Sequence, residues 1–240
     1  MTGTKTRSNV DEPSQVPWNK RPLYKRIHWV HTLLLTLTPL IAVYGFFTTP
    51  LLTKTLIWSI VYYFMTGIGI TGGYHRLWSH KSYSATLPLQ LTYAFVGAGA
   101  VQGSIKWWSR GHRAHHRHTD TEKDPYSAEK GLIYSHIGWL IMKPEPGKIG
   151  YADTSDLNKD PVVAFQHNFY PYFALSAGFI FPTLVAGLGW GDWRGGYSSQ
   201  QLLALYSYTT PLFASIVLLT ILVSRALMTS ILQGITSLLR

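Results

Sequence analysis

Long stretches of this chain carry no Asp, Glu, Lys or Arg, and four of them restrict its fold more than any other feature. Residues 29–50 run 22 positions without a charge, 55–74 run 20, 161–191 run 31 and 195–224 run 30. About 20 apolar residues of helix cross a bilayer core, so each stretch is long enough, and the pattern predicts an all-α membrane protein with about four transmembrane helices. The charges gather mostly in residues 5–26 and 106–160, and the second group predicts a cytosolic, histidine-rich helical cap. The net charge of +10 does not point to nucleic acid. Lys20, Arg21, Lys25 and Arg26 stand just before the first stretch, where the positive-inside rule places cations on a cytosolic N-terminus.

Residues 1–28 are mostly polar, contain Pro13 and Pro17, and read as a flexible segment without a signal peptide. A first span is expected at about 29–49, with Pro39 tolerated inside it, and a second at about 55–74. The window 82–105 is uncharged, but Pro88, Gly97, Gly99 and Gly103 make it a poor helix by propensity. If it spanned, the histidines on its two sides would face opposite compartments, so it is expected to pack at the membrane surface or inside the cytosolic domain. A third span is expected at about 169–189, then an aromatic turn at Gly189–Tyr197 with Trp190 and Trp193 at headgroup depth. The tail 198–240 is apolar, lacks histidine, and holds a possible fourth span near 201–224.

Ten histidines and no cysteine occur, so a metal here must take nitrogen or oxygen ligands. Two motifs stand out. His75-Arg76-Leu77-Trp78-Ser79-His80 is H-x4-H; on an α-helix its histidines lie about 140° apart, a spacing that suits one ion of a pair each. His112-Arg113-Ala114-His115-His116 is H-x2-H-H, and offsets of three and four place its rings on one face. Neutral imidazole suits Fe, Zn, Cu or Ni. His28, His31 and His167 stand alone at span boundaries and read as structural. His118 reads as a solvent or phosphate contact and His136 as a structural hydrogen bond. A histidine-lined transporter is disfavoured, because transporter ligands sit within spans near the midplane and these flank the spans.

The flanking residues resemble a known family. Thr71-Gly72-Gly73-Tyr74-His75-Arg76-Leu77-Trp78-Ser79-His80 is similar to the first box of acyl-CoA desaturases. Trp107–Arg117 is similar to the second, continuing through Thr119-Asp120-Thr121 and Asp124-Pro125-Tyr126. Ser135–Trp139, Asp156-Leu157, Asp160–Val163 and Gly191–Tyr197 also match, and the fungal, yeast-type branch fits best. The resemblance covers residues 20–197, within a membrane and catalytic region 29–197. It implies a multi-pass endoplasmic reticulum protein with cytosolic histidine boxes and two iron ions. The implied function is Δ9 desaturation of stearoyl- or palmitoyl-CoA for unsaturated fatty acid biosynthesis, with O2 and electrons from cytochrome b5. His75, His80, His112, His115 and His116 match iron ligands of the family. Arg110 and Lys143 match positions near the CoA, Gln102 and Trp108 positions at the bend of the acyl tunnel, and Tyr63 and Gly67 its far end. His136, Asp120 and Asp124 are further residues able to substitute as ligands. The family's third histidine box has no counterpart after Tyr197. A second reading therefore stays open: a catalytically incomplete, truncated desaturase that binds acyl-CoA or a partner. A membrane hydroxylase is the near neighbour, and the flanking residues argue against it.

Overall fold

The longest uncharged segments become helices, and glycines decide how closely the helices approach. The computed structural model describes residues 17–50 and 52–198; the expected polar segment before residue 17 and the apolar tail from 199 lie outside them. Helix α1, Trp29–Thr48, carries Pro39 inside it. Its threonines turn inward on their own backbone: Thr32, Thr36 and Thr48 donate to the carbonyls of His28, Thr32 and Tyr44. This removes free hydroxyls from a face on which Leu33, Leu37, Leu40, Val43 and Tyr44 are exposed. A helix with so much outward apolar surface calls for an apolar surrounding.

Among the described residues, two helices are long and apolar enough to cross a membrane: α2, Thr53–Ser79, and, later in the chain, Tyr170–Trp190. Between them stands α3, Leu87–Ala98, whose 12 residues reach about 18 Å and fall short of a roughly 30 Å core. The glycines that lower its helix propensity act at its contact with α2. A Cβ on Gly97 would lie 2.6 Å from the Tyr74 ring, and one on Gly69 would lie 2.4 Å from the Gly97 nitrogen. Helix α4, Ile105–His118, starts at Ser104, whose hydroxyl accepts from the Trp107 amide at 3.2 Å. Helix α5, Pro161–Asn168, starts at Asp160, which accepts from the Val162 and Val163 amides, with Pro161 at the position where a missing N–H costs least.

The last long helix, Tyr170–Trp190, is α6, and it ends at Gly191 with φ +78°, the left-handed stop that glycine adopts freely. It runs antiparallel to α2. Near the start of α2, Thr55 donates to Asp192 and receives the Trp190 indole N–H at 2.8 Å; Trp58 then donates to Pro182 O at 3.1 Å, and Tyr62 to Ala177 O. A core of Ile70, Tyr74, Trp78, Ile105, Leu157 and Val163 joins α2, α4 and α5. Within it the fully buried Gln166 accepts from the Ile105 amide at 3.0 Å and donates to Tyr74 Oη at 2.7 Å. Among the described residues there is no strand, only an isolated antiparallel bridge between Ile27 and Met142 that ties the approach to α1 to the 134–142 segment.

Candidate metal centre

The last part of α2, Gly69–Ser79, is wound as a π-helix, and this winding builds half of the site. Its hydrogen bonds run from residue i+5 back to i: the His80 amide donates to His75 O at 2.9 Å. Histidines five apart, splayed on an α-helix, are therefore brought together edge to face, with ring centroids 4.5 Å apart. The separation of about 140° expected for His75 and His80 on an α-helix is corrected by this change of pitch. Side-chain hydroxyls hold the wide turn: Ser79 and Ser109 donate to Tyr74 O at 2.7 and 3.3 Å, and Tyr83 donates to Gly72 O at 2.6 Å.

Helix α4 supplies the other half. His112 and His116, one turn apart, face the first pair: His75–His112, His112–His116 and His80–His116 ring centroids lie 4.6, 4.5 and 4.8 Å apart. His112 Nε2 is 3.1 Å from His80 Nε2 and 3.0 Å from His116 Nε2. The ligand atoms of His75, His80, His112 and His116 all lie within 4.8 Å of one another. His115 was expected on the same face and stands apart, 6.5 Å from His112 by ring centroid. Its Nδ1 sits 2.9 and 3.0 Å from the two carboxylate oxygens of Asp124, and its ring packs on Tyr126 at 4.5 Å. Asp124 is fully buried and also accepts from the Asp120 and Tyr126 amides.

Burial, followed by the neighbouring rings of His75, His116, His80 and His115, pushes His112 down to about 2. His80 is lowered by burial and by Arg113, and His116 by burial and by His80 and His115. These imidazoles are neutral at physiological pH, and their nitrogens face one another. Converging lone pairs of neutral imidazole fit a borderline transition-metal cation such as iron.

Beside the cluster lie two cavities, of about 560 and 580 Å³. The first is apolar, lined by Leu34, Leu35, Leu175 and Phe179, and it includes Gln102, Trp108 and His136. The second includes Arg110, Lys143, His112 and Trp18. Trp107, Trp108 and Trp139 wall both cavities. Trp108 stacks on His112 at 4.8 Å and donates to Gln102 Oε1 at 3.2 Å, so the shared wall touches the cluster directly. Tyr63 and Gly67 line neither cavity. Of the isolated histidines, His31 Nδ1 pairs with Leu140 O at 3.2 Å and His167 Nδ1 with Ser104 Oγ at 2.7 Å, both structural. His118, half-buried, packs over Gly150, where an added Cβ would meet its ring at 2.0 Å.

Two helices long and apolar enough to cross a membrane, with a cluster of four imidazoles able to hold a metal ion and carried by the helices before and after the short α3, are the features that define the class of this protein. The family profile described as Fatty acid desaturase matches residues 53–229, and the chain belongs to that family. It is 54% identical over 181 residues to the "Probable acyl-CoA desaturase" of Schizosaccharomyces pombe, covering 75% of this chain and 38% of that protein. It is 42% identical over 194 residues to "Acyl-CoA desaturase 1" of Saccharomyces cerevisiae, covering 80% and 38%. The human "Stearoyl-CoA desaturase" is 40% identical over 168 residues, covering 68% and 47%. The chain thus spans less than half the length of these relatives.

Proposed function

We propose that this chain carries part of the iron centre and the acyl site of an O2-dependent acyl-CoA Δ9 desaturase. The observation that carries the reading is the four-imidazole cluster standing behind Trp108, at the wall shared by an apolar and a cationic cavity. His75, His80, His112 and His116 would hold iron, and His115 would join them through the Nε2 that its pairing with Asp124 leaves available. Bound iron would supply the O2 activation needed to take hydrogen from an unactivated methylene, chemistry beyond ordinary side chains. Stearoyl- or palmitoyl-CoA, O2, two electrons and two protons would give the cis-monounsaturated acyl-CoA and two waters.

The chain's own residues divide the remaining work. Arg110 and Lys143 offer cations to the phosphates of CoA. The apolar cavity takes the acyl chain, and Gln102 and Trp108 set its bend; Tyr63 and Gly67, which line neither cavity, are given no part in it. Trp107 and Trp139, stacked at 6.2 Å, keep water from the wall between the cavities. Four spans, an endoplasmic reticulum membrane, cytosolic histidine boxes, two iron ions and cytochrome b5 as electron donor complete the reading.

The four converging nitrogens of the described residues make a set for one ion, and a second reading stands beside the first: an acyl-CoA-binding relative without turnover. The chain is expressed in a desaturase-deficient yeast and purified in detergent. Iron is expected to co-purify and to be lost in His112→Ala. Acyl-CoA affinity is expected to fall about tenfold in Arg110→Ala, the scale of one lost charge-assisted bond. Cis-Δ9 products in the lipids identify the desaturase. Iron and acyl-CoA binding without product identify the second reading, and the absence of both kinds of binding sinks each.

A further inference from the structure

Arg113 lies between the metal-facing histidines of α4, yet its side chain reaches back to α2. Its Nη2 donates to Trp78 O at 2.6 Å and its Nε to Ser79 O at 3.1 Å. These are carbonyls of the last turn of the π-helical segment, where backbone acceptors run out of partners. The same guanidinium donates from Nη1 to Asp153 O at 2.7 Å and pairs with both oxygens of Asp156 at 2.8 Å. A guanidinium has five N–H donors in a fixed fork, and all five have an acceptor here. A second tie reaches the same turn from the segment that supplies Asp156: Trp78 Nε1 donates to Asp160 at 3.1 Å. The next residue beyond the clamped carbonyls is His80, whose Nε2 stands 3.1 Å from that of His112, the residue before Arg113.

We propose that Arg113 is a positioning residue that sets the register of the two histidine helices, with Asp156 as its fixed counter-charge. The clamp ties the backbone just before His80 to the helix that carries His112 and His116, so the distance between their nitrogens follows from its five bonds. Lysine is no equivalent: an ammonium has three donors on a flexible stem and cannot span two carbonyls and a bidentate carboxylate together. The metal consequence rests on the function proposed above; the clamp itself rests on the geometry alone.

The test uses the full chain in detergent with Co(II) as probe, since its visible absorption reports ligand geometry. Hydrogen–deuterium exchange across residues 75–82 of the metal-free protein is measured in parallel. Arg113→Gln is expected to weaken Co(II) binding about tenfold or more, the usual cost of losing an orienting partner, to shift the visible band, and to speed exchange at 75–82. Arg113→Lys should recover the binding only in part. Unchanged affinity, band and exchange in Arg113→Gln overturn the proposal. Should that variant not fold, Arg113→Lys decides: wild-type Co(II) binding and exchange in it also overturn the clamp. A wild-type chain that takes no Co(II) sinks the metal reading, and exchange at 75–82 then decides the clamp by itself.

Discussion

Asp124 shows how a single buried carboxylate can govern a histidine outside the main cluster. With Nδ1 of His115 donating to the carboxylate, the acceptor lone pair lies on Nε2, the arrangement by which carboxylates orient metal-binding histidines. Asp124→Asn keeps the shape and removes the charge, and it is expected to lower Co(II) or iron affinity about tenfold while the far-ultraviolet spectrum stays unchanged; equal affinity would show that His115 is no ligand. The sequence marked Asp124 only as an acid able to substitute as a ligand. Its actual role depends on a loop that brings the residue at 124 back under 115, which no helical spacing encodes. The lowered histidines also set a pH dependence. In the unfolded chain each titrates near 6.5, whereas folded His112 stays neutral down to about 2, and His80 and His116 are shifted the same way. Below pH 6.5 the unfolded state therefore binds more protons, and stability falls as pH falls. The thermal midpoint of the metal-free protein is expected to drop between pH 6.5 and 5, with a shallower drop in His112→Gln; a midpoint that rises in acid contradicts the burial of these rings.

At the scale of elements, the decisive feature is a change of pitch inside α2. The helix itself was legible as an uncharged run, and H-x2-H-H was legible as one helical face for His112 and His116. The approach of His75 to His80 was not, because a spacing of five is read against 3.6 residues per turn and the π winding is stabilised from outside the motif. Tyr83, Ser109 and the close-packed α3 supply that support. The glycines of 82–105 look like helix breakers in one dimension and prove to be crossing points in three. Gly69 tests this directly, since a Cβ there meets backbone atoms of Gly97 at 2.4 and 2.6 Å, and backbone cannot rotate out of the way. Gly69→Val is expected to destabilise by about 1–3 kcal/mol and to weaken Co(II) binding, because α3 must retreat from the segment that carries His75. Thermal denaturation and Co(II) titration check both effects, and a variant as stable as wild type would mean that the crossing is looser than the structure has it.

For the whole molecule, the antiparallel pairing of α2 and α6 separates two ends with different chemistry. One end holds Thr55, Trp190 and Asp192 in a hydrogen-bonded knot; the other holds the histidine cluster, with the Tyr170 hydroxyl receiving the Gly103 amide at 2.8 Å nearby. With 27 residues in α2 and 21 in α6, each helix matches or exceeds the roughly 20 residues a bilayer core requires, so a bilayer crossed by both would set the two ends on opposite faces. Both histidine boxes would then share one face, since α3 is too short to carry the chain across between them. The absence of cysteine makes this testable with single replacements. In sealed vesicles, an impermeant maleimide is expected to label Lys81→Cys and Lys123→Cys from one side. Lys54→Cys and Arg194→Cys should react from the other, and all four should react once detergent opens the membrane. Labelling of Lys81→Cys and Lys123→Cys from opposite sides would separate the two boxes and remove the basis for a shared metal centre. Labelling of all four from one side would instead remove the spans while leaving the cluster intact, so the two halves of the architecture are tested independently.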